Sequence, residues 1–280
     1  MKKISTILII ALVLSLFAGC SGNGKAQVAA TTATVYQFAQ ALCADTGISV
    51  TRLVTESVSC LHDYSLNVRQ MQLINAAEVI VISGGGLEEA FMSDTLSGKN
   101  VIDGAAGIEL TVRGEEADNH IWMSPVLAKQ MAKNICDGLA KQYPEQKDIF
   151  ESNLQMLNRQ FDEVIAYGQQ QLGTLSCREM ITFHNGFGYF ADAFDLTILR
   201  SIEEEAGSEA SAKQLIELIE LVREHQLPAI FTETNGSAVS AHTIKSETGV
   251  EVYALDMCMG NLDYFAAMRR NIDTVKEALG

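Results

Sequence analysis

The chain has 280 residues, 48% of them hydrophobic and 20% charged, with 35 Asp and Glu against 20 Lys and Arg for a formal net charge of −15. So large an apolar share excludes a disordered chain, which lacks the side chains to build a core. The acidity, with no basic run beyond the extreme N-terminus, excludes a nucleic-acid partner, whose phosphates are gripped by clustered Lys and Arg.

Met1-Lys2-Lys3 precede an apolar stretch over residues 4–18 that is too short for a comfortable membrane span. It ends in Leu16-Phe17-Ala18-Gly19-Cys20, which resembles the lipobox of bacterial lipoproteins. That resemblance implies a signal peptide over 1–19, acylation of Cys20, and a mature chain anchored by lipid on the extracytoplasmic face of the cell membrane. Ser21-Gly22-Asn23-Gly24 and the Ala/Thr-rich run that follows predict a lipidated, flexible tether over 20–34. Loss of Lys2 and Lys3 with the signal, and of no acid, takes the net charge from −15 to −17.

Helical spacing over 35–45 is followed by strand alternation over 48–54, a helix over 66–76 and a near-continuous apolar strand over 78–83. Gly84-Gly85-Gly86 then turns the chain into a helix from residue 87. This alternation predicts an N-terminal α/β lobe over 35–143. Residues 125–172 are helical in pattern with punctuation at Tyr143-Pro144, which predicts a connecting helix over 144–175, roughly 45 Å long. A C-terminal α/β lobe over 176–280 follows, with strands at 180–183, 197–199, 229–232 and 250–255 separated by helices. The expected fold class is α/β: two doubly wound lobes joined by a long rigid helix.

In open α/β sheets ligands bind beyond the carboxyl ends of the strands, so position relative to a strand sorts the five histidines. His184 follows the strand ending at Phe183, and Asp256 follows the strand ending at Leu255. His62 and His120 lie in loops of the first lobe, each before a helix, whereas His225 closes a helix and His242 lies within one, as surface residues do. Each of the four taken singly suits a hydrogen-bonded loop side chain. Together they offer three imidazole nitrogens and one carboxylate, divided between the lobes, which suits a tetrahedral Zn(II) site in the cleft.

The whole mature chain resembles the cluster A-I solute-binding lipoproteins of zinc and manganese ABC transporters. The resemblance is carried by Leu61-His62-Asp63-Tyr64, Ser83-Gly84-Gly85-Gly86-Leu87-Glu88, Asn119-His120-Ile121-Trp122-Met123-Ser124-Pro125, Phe183-His184-Asn185-Gly186-Phe187-Gly188-Tyr189-Phe190, Ile230-Phe231-Thr232-Glu233 and Val252-Tyr253-Ala254-Leu255-Asp256. It implies His62, His120, His184 and Asp256 as the metal ligands, with Leu61 where the family carries a proline. Zinc binders of the family have His at the third position and manganese binders Glu, so His184 points to Zn(II) ahead of Mn(II) as the transported ligand. Many zinc members carry a His-rich acidic loop before the second ligand; here residues 99–119 hold no histidine, and Glu109, Glu115, Glu116 and Asp118 read as a solvated acidic loop.

Ligating histidines need acceptors for their second N–H, and Glu233, Asp63 and Asn185 are the candidates. Of six cysteines, none forms a C-x-x-C pair. Cys60 and Cys258 each lie two residues from an implied ligand, which leaves a disulfide clamping the lobes or two unrelated thiols; the bridge is the expectation. The resemblance implies a monomer that captures zinc and delivers it to a membrane permease, with no catalytic residue. A mono-zinc hydrolase using Asp256 or Glu233 as base, or a surface adhesin on the same fold, are the alternatives. H-E-x-x-H, G-x-S-x-G and G-x-x-x-x-G-K-[ST] are all absent, and Glu88-Glu89 after the triple glycine would repel phosphate.

Overall fold

A computed structural model describes residues 27–56, 61, 64–113, 116–203 and 210–280. The first lobe carries a parallel sheet of β1 (Val28–Ala30), β2 (Val50–Arg52), β3 (Val79–Ile82) and β4 (Val101–Asp103) in the order β2-β1-β3-β4. The second carries β7 (Glu179–His184), β8 (Thr197–Glu203), β9 (Ala229–Glu233) and β10 (Glu251–Leu255) in the order β10-β9-β7-β8, also parallel. A short antiparallel hairpin, β5 (Val112–Arg113) and β6 (Glu116–Ala117), stands apart from both. The helices are α1 (Ala33–Leu42), α2 (Val68–Ala76), α3 (Glu89–Leu96), α4 (Pro125–Gln142), α5 (Lys147–Leu172), α6 (Gly188–Ala193), α7 (Ala212–His225), α8 (Val239–Thr248) and α9 (Tyr264–Leu279).

The tether expected over 20–34 ends sooner than its composition suggests. Val28-Ala29-Ala30 form the inner strand β1, hydrogen-bonded to β2 on one side and β3 on the other, and all three are fully buried. Small side chains are what let helices pack close on both faces of a central strand, so the Ala/Thr content that reads as a linker is here a packing device. Thr32, expected in the tether, instead caps α1 by accepting from Val35 N.

Pro144 opens a single 3-10 turn, and α5 begins after it at Lys147, giving 26 residues or about 39 Å. This helix does more than connect. Phe161 at its middle makes edge-on ring contacts with Phe38 of α1 and with Tyr264 and Phe265 of α9. One contiguous apolar core therefore runs from Val28 and Leu42 through Trp122 and Phe150 to Phe231 and Ile272, crossing from one lobe to the other.

Candidate metal centre

Both sheets wind alike: the chain steps from the first strand to one neighbour, then returns to the other side. The crevice at such a reversal, beyond the carboxyl ends of the two central strands, is where an open α/β sheet takes a ligand. In the second sheet those strands are β7 and β9, and their last residues are His184 and Glu233. His184 is 1% exposed, its carbonyl accepts from Thr182 Oγ1 at 3.0 Å, and its Nδ1 lies 3.5 Å from Glu233 Oε1.

The matching crevice in the first sheet, between β1 and β3, is filled by the protein itself. Glu88 is buried there, its Oε1 accepting from Thr31 Oγ1 (2.6 Å) and Ser83 N (2.7 Å) and its Oε2 from Gly84 N (3.0 Å). The Ser83 and Gly84 N–H groups at the head of the glycine turn are thus spent on an internal carboxylate. Gly84 has φ +81° and a Cβ there would collide with the Asp103 carboxylate, so only glycine serves.

The first lobe contributes His120 through the loop after β6. Asp118, two residues before it, accepts from His120 N (3.0 Å) and approaches His120 Nδ1 (2.9 Å) through Oδ1, while its Oδ2 accepts from Arg113 Nε (3.0 Å). Asp118 is therefore no solvated loop residue: its side chain is 1% exposed, whereas Glu109 nearby is exposed as expected. Burial pulls its carboxyl up, but the bonds from His120 and the charge of Arg113 outweigh this and hold it below the usual carboxylate range.

His120 Nε2 and His184 Nε2 face each other at 3.1 Å, the rings nearly perpendicular with centroids 5.0 Å apart. A carboxylate behind each Nδ1 favours the tautomer with its proton on Nδ1, which turns both Nε2 lone pairs toward one point. Two nitrogens bound to tetrahedral zinc at 2.0–2.1 Å stand about 3.3 Å apart, so the pair needs almost no movement to share an ion.

Asp256 follows β10 directly and is held by Asn271 of α9, whose Oδ1 accepts from Asp256 N (2.8 Å) and whose Nδ2 donates to Asp256 O (2.7 Å). Its Oδ1 accepts from Cys258 N at 2.7 Å. Asp256 and Glu233 line one small cavity with Thr234, Asn235, Met257, Met259 and Gly260. The 256–264 segment is tied to the first lobe: Trp122 Nε1 donates to Met257 O (2.8 Å), Thr34 Oγ1 to Cys258 O (2.9 Å), and Arg52 to Met259 O (2.9 Å) and Gly260 O (3.2 Å).

His62 and Asp63 lie outside the described residues, though Leu61 before them is fully buried in the main core. Among the described residues no three His, Cys, Asp or Glu side chains converge as a metal shell; His120 and His184 form the close pair. Asn185 sits half-buried in the turn after β7, with no hydrogen bond to either histidine. Cys258 is a free, buried thiol, so the bridge expected to Cys60 is not present; its backbone is left-handed at φ +58° and its Sγ lies 3.8 Å from Asp256 O. Cys43, Cys136 and Cys177 are also free, and Cys20 and Cys60 lie outside the described residues. His225 pairs with Glu179 at 2.9 Å, far from this chemistry in role. Asp118, Arg113 and Asn271 escaped sequence reasoning; the D-x-H spacing at 118–120 and a polar residue on the apolar face of α9 were the available signals.

The family model for ZnuA, the periplasmic component A of the zinc-uptake complex, matches residues 28–278. The chain belongs to that family. Among ZnuA-family relatives, the zinc-binding lipoprotein AdcA of Streptococcus pneumoniae is 28% identical over 99% of this chain, which spans 61% of AdcA's own length. The high-affinity zinc uptake system protein ZnuA of Bacillus subtilis is 27% identical, with 99% of this chain and 98% of that protein covered. A crystal structure of a ZnuA, 28% identical, superposes with a TM-score of 0.81 over 90% of this chain and 98% of that one.

Proposed function

We propose that this chain captures Zn(II) between its lobes and delivers it to the permease of an ABC importer, working as a monomer anchored through Cys20 on the extracytoplasmic face of the membrane. His62, His120, His184 and Asp256 are the ligands in this reading, with Asp118 accepting from His120 and the Glu233 carboxylate standing 3.5 Å behind His184 Nδ1. The observation that carries it is the Nε2 pair at 3.1 Å, one nitrogen from each lobe, each ring backed by a buried carboxylate. Imidazole nitrogens suit zinc better than the harder manganese ion. Four protein ligands leave no open position for a reactive water, which suits capture and release rather than hydrolysis. The Bacillus relative is named for zinc uptake and the Streptococcus relative for zinc binding, which supports the same cargo.

Equilibrium competition against a chromogenic chelator tests this. His184→Ala lowers zinc affinity by more than the roughly 10–100-fold typical of losing an outer partner. Unchanged affinity overturns the site, and tighter binding of Mn(II) than of Zn(II) overturns the metal.

A further inference from the structure

Arg113 joins the two lobes beside the histidine pair. Its Nε donates to Asp118 Oδ2 at 3.0 Å, and its Nη2 donates to Asp192 of α6, the helix that starts four residues after His184. The guanidinium lies over the Tyr189 ring, 5.4 Å from its centroid, and Tyr189 in turn donates to Asp118 O (3.0 Å) and accepts from Thr111 N (2.9 Å). Space for this arrangement depends on Gly188, where a Cβ would stand 2.1 Å from Arg113 Nε.

We propose that Arg113 is a positioning residue that couples His120 to the opposite lobe and so sets how long a bound zinc ion stays. This rests on the metal site proposed above. The chain of contacts is short: His120 is oriented by Asp118, Asp118 is held by Arg113, and Arg113 is held by the helix that follows His184. Arginine suits the task because its planar fork serves two carboxylates at once, which an ammonium on a flexible stem does not. The two arms differ in exposure: Asp118 is 1% exposed and Asp192 58%. Parting of the lobes breaks the outer, solvent-screened arm first and leaves the inner one with His120. Release is then faster when the outer arm is missing, and both release and affinity suffer when the whole guanidinium is missing or pushed aside.

The experiment is stopped-flow release of zinc from the mature protein into excess chelator, at low and high salt, for wild type, R113A, R113K, D192N, G188A and H184A, with apo melting temperatures recorded in parallel. R113A speeds release about tenfold or more, the range seen when an outer partner is lost. G188A does the same without removing any charge, and R113K restores only part of the wild-type rate. D192N speeds release a few-fold, removes the salt dependence of wild-type release and leaves the apo melting temperature unchanged. Wild-type release from R113A and G188A, with zinc binding lost in H184A, overturns the coupling and leaves the metal site standing. Zinc binding retained in H184A instead overturns the site. If R113A does not fold, D192N and R113K decide, and wild-type release from both overturns the proposal.

Discussion

Asp118→Asn isolates the charge behind His120 with hardly any change of shape. Asp118 accepts three hydrogen bonds, two from His120 on Oδ1 and one from Arg113 on Oδ2, in a side chain 1% exposed. An amide has one acceptor oxygen and one donor NH2. With the oxygen toward His120, the NH2 meets Arg113 Nε–H, donor against donor; flipped, it meets the two His120 donors. The better orientation still forfeits one bond to a charged group, about 1.5–3 kcal/mol of stability. As a proposed ligand, His120 also loses the anion that would make it a strong donor to metal, worth roughly 10–100-fold in affinity, or about 1.4–2.7 kcal/mol. Zinc competition near pH 7 and urea unfolding of the apo protein read the two effects separately. The carboxyl of Asp118 is held below its ordinary value of 3.8, so its stabilisation is present in full above that pH and is lost as pH falls through the depressed folded-state value. The stability gap between wild type and D118N therefore closes below about pH 4. A zinc affinity within twofold of wild type refutes the role given to Asp118, whatever the stability change.

Three further outcomes follow from the same structure. Burial pushes the Glu88 carboxyl above its ordinary 4.5, against the bonds from Thr31, Ser83 and Gly84, so ionisation costs more in the folded than in the unfolded chain and wild-type stability relative to E88Q declines as pH rises above that value; urea unfolding at several pH values checks this, and a gap that widens with pH contradicts it. Asn271→Ala removes both bonds that fix the Asp256 backbone and leaves its N–H and C=O unpaired, costing about 2–4 kcal/mol and weakening zinc binding together; calorimetry with and without zinc reads both. Gly168→Ala places a Cβ 2.1 Å from the Phe194 ring, which Phe190 backs at a centroid distance of 5.1 Å, so the apo protein loses about 1–3 kcal/mol while zinc affinity holds within twofold of wild type.

Much of the second lobe is readable from its residues because its strands are apolar runs with sharp ends. β7 ends on His184 and β10 ends at Leu255, just before Asp256, so the strand-end rule applies at both places with little ambiguity. The first lobe is harder. β1 is built from one valine and two alanines, and nothing in their individual preferences distinguishes a central strand from a linker; its pairing with β2 and β3 decides, and that is long-range information. The β5–β6 hairpin has only two residues in each strand, below what periodicity can register, yet it delivers Arg113 and Asp118. Asp118 was hidden among similar acids because burial separates it from Glu109, and burial is a property of the assembled lobes. Asn271 was hidden by its helix: α9 reads as amphipathic, and a single asparagine between Ala267, Met268, Ile272 and Val275 on the buried face passes as an interruption.

The aromatic cluster on Phe161 also bears on the order in which the chain can fold. Phe38 and Tyr264 meet edge to face with centroids 5.1 Å apart, and Thr34 hydrogen-bonds the Cys258 carbonyl, so early and late segments complete one another's packing. Such contacts close very long loops, whose entropy must be met before the contact contributes anything, and this slows folding. A nascent chain released as far as α5 has its first sheet but lacks the far wall of its core, and it waits for α9 before either half is sealed. Truncation before Tyr264 thus leaves the shared core open on one side, so both lobes are expected to lose stability together.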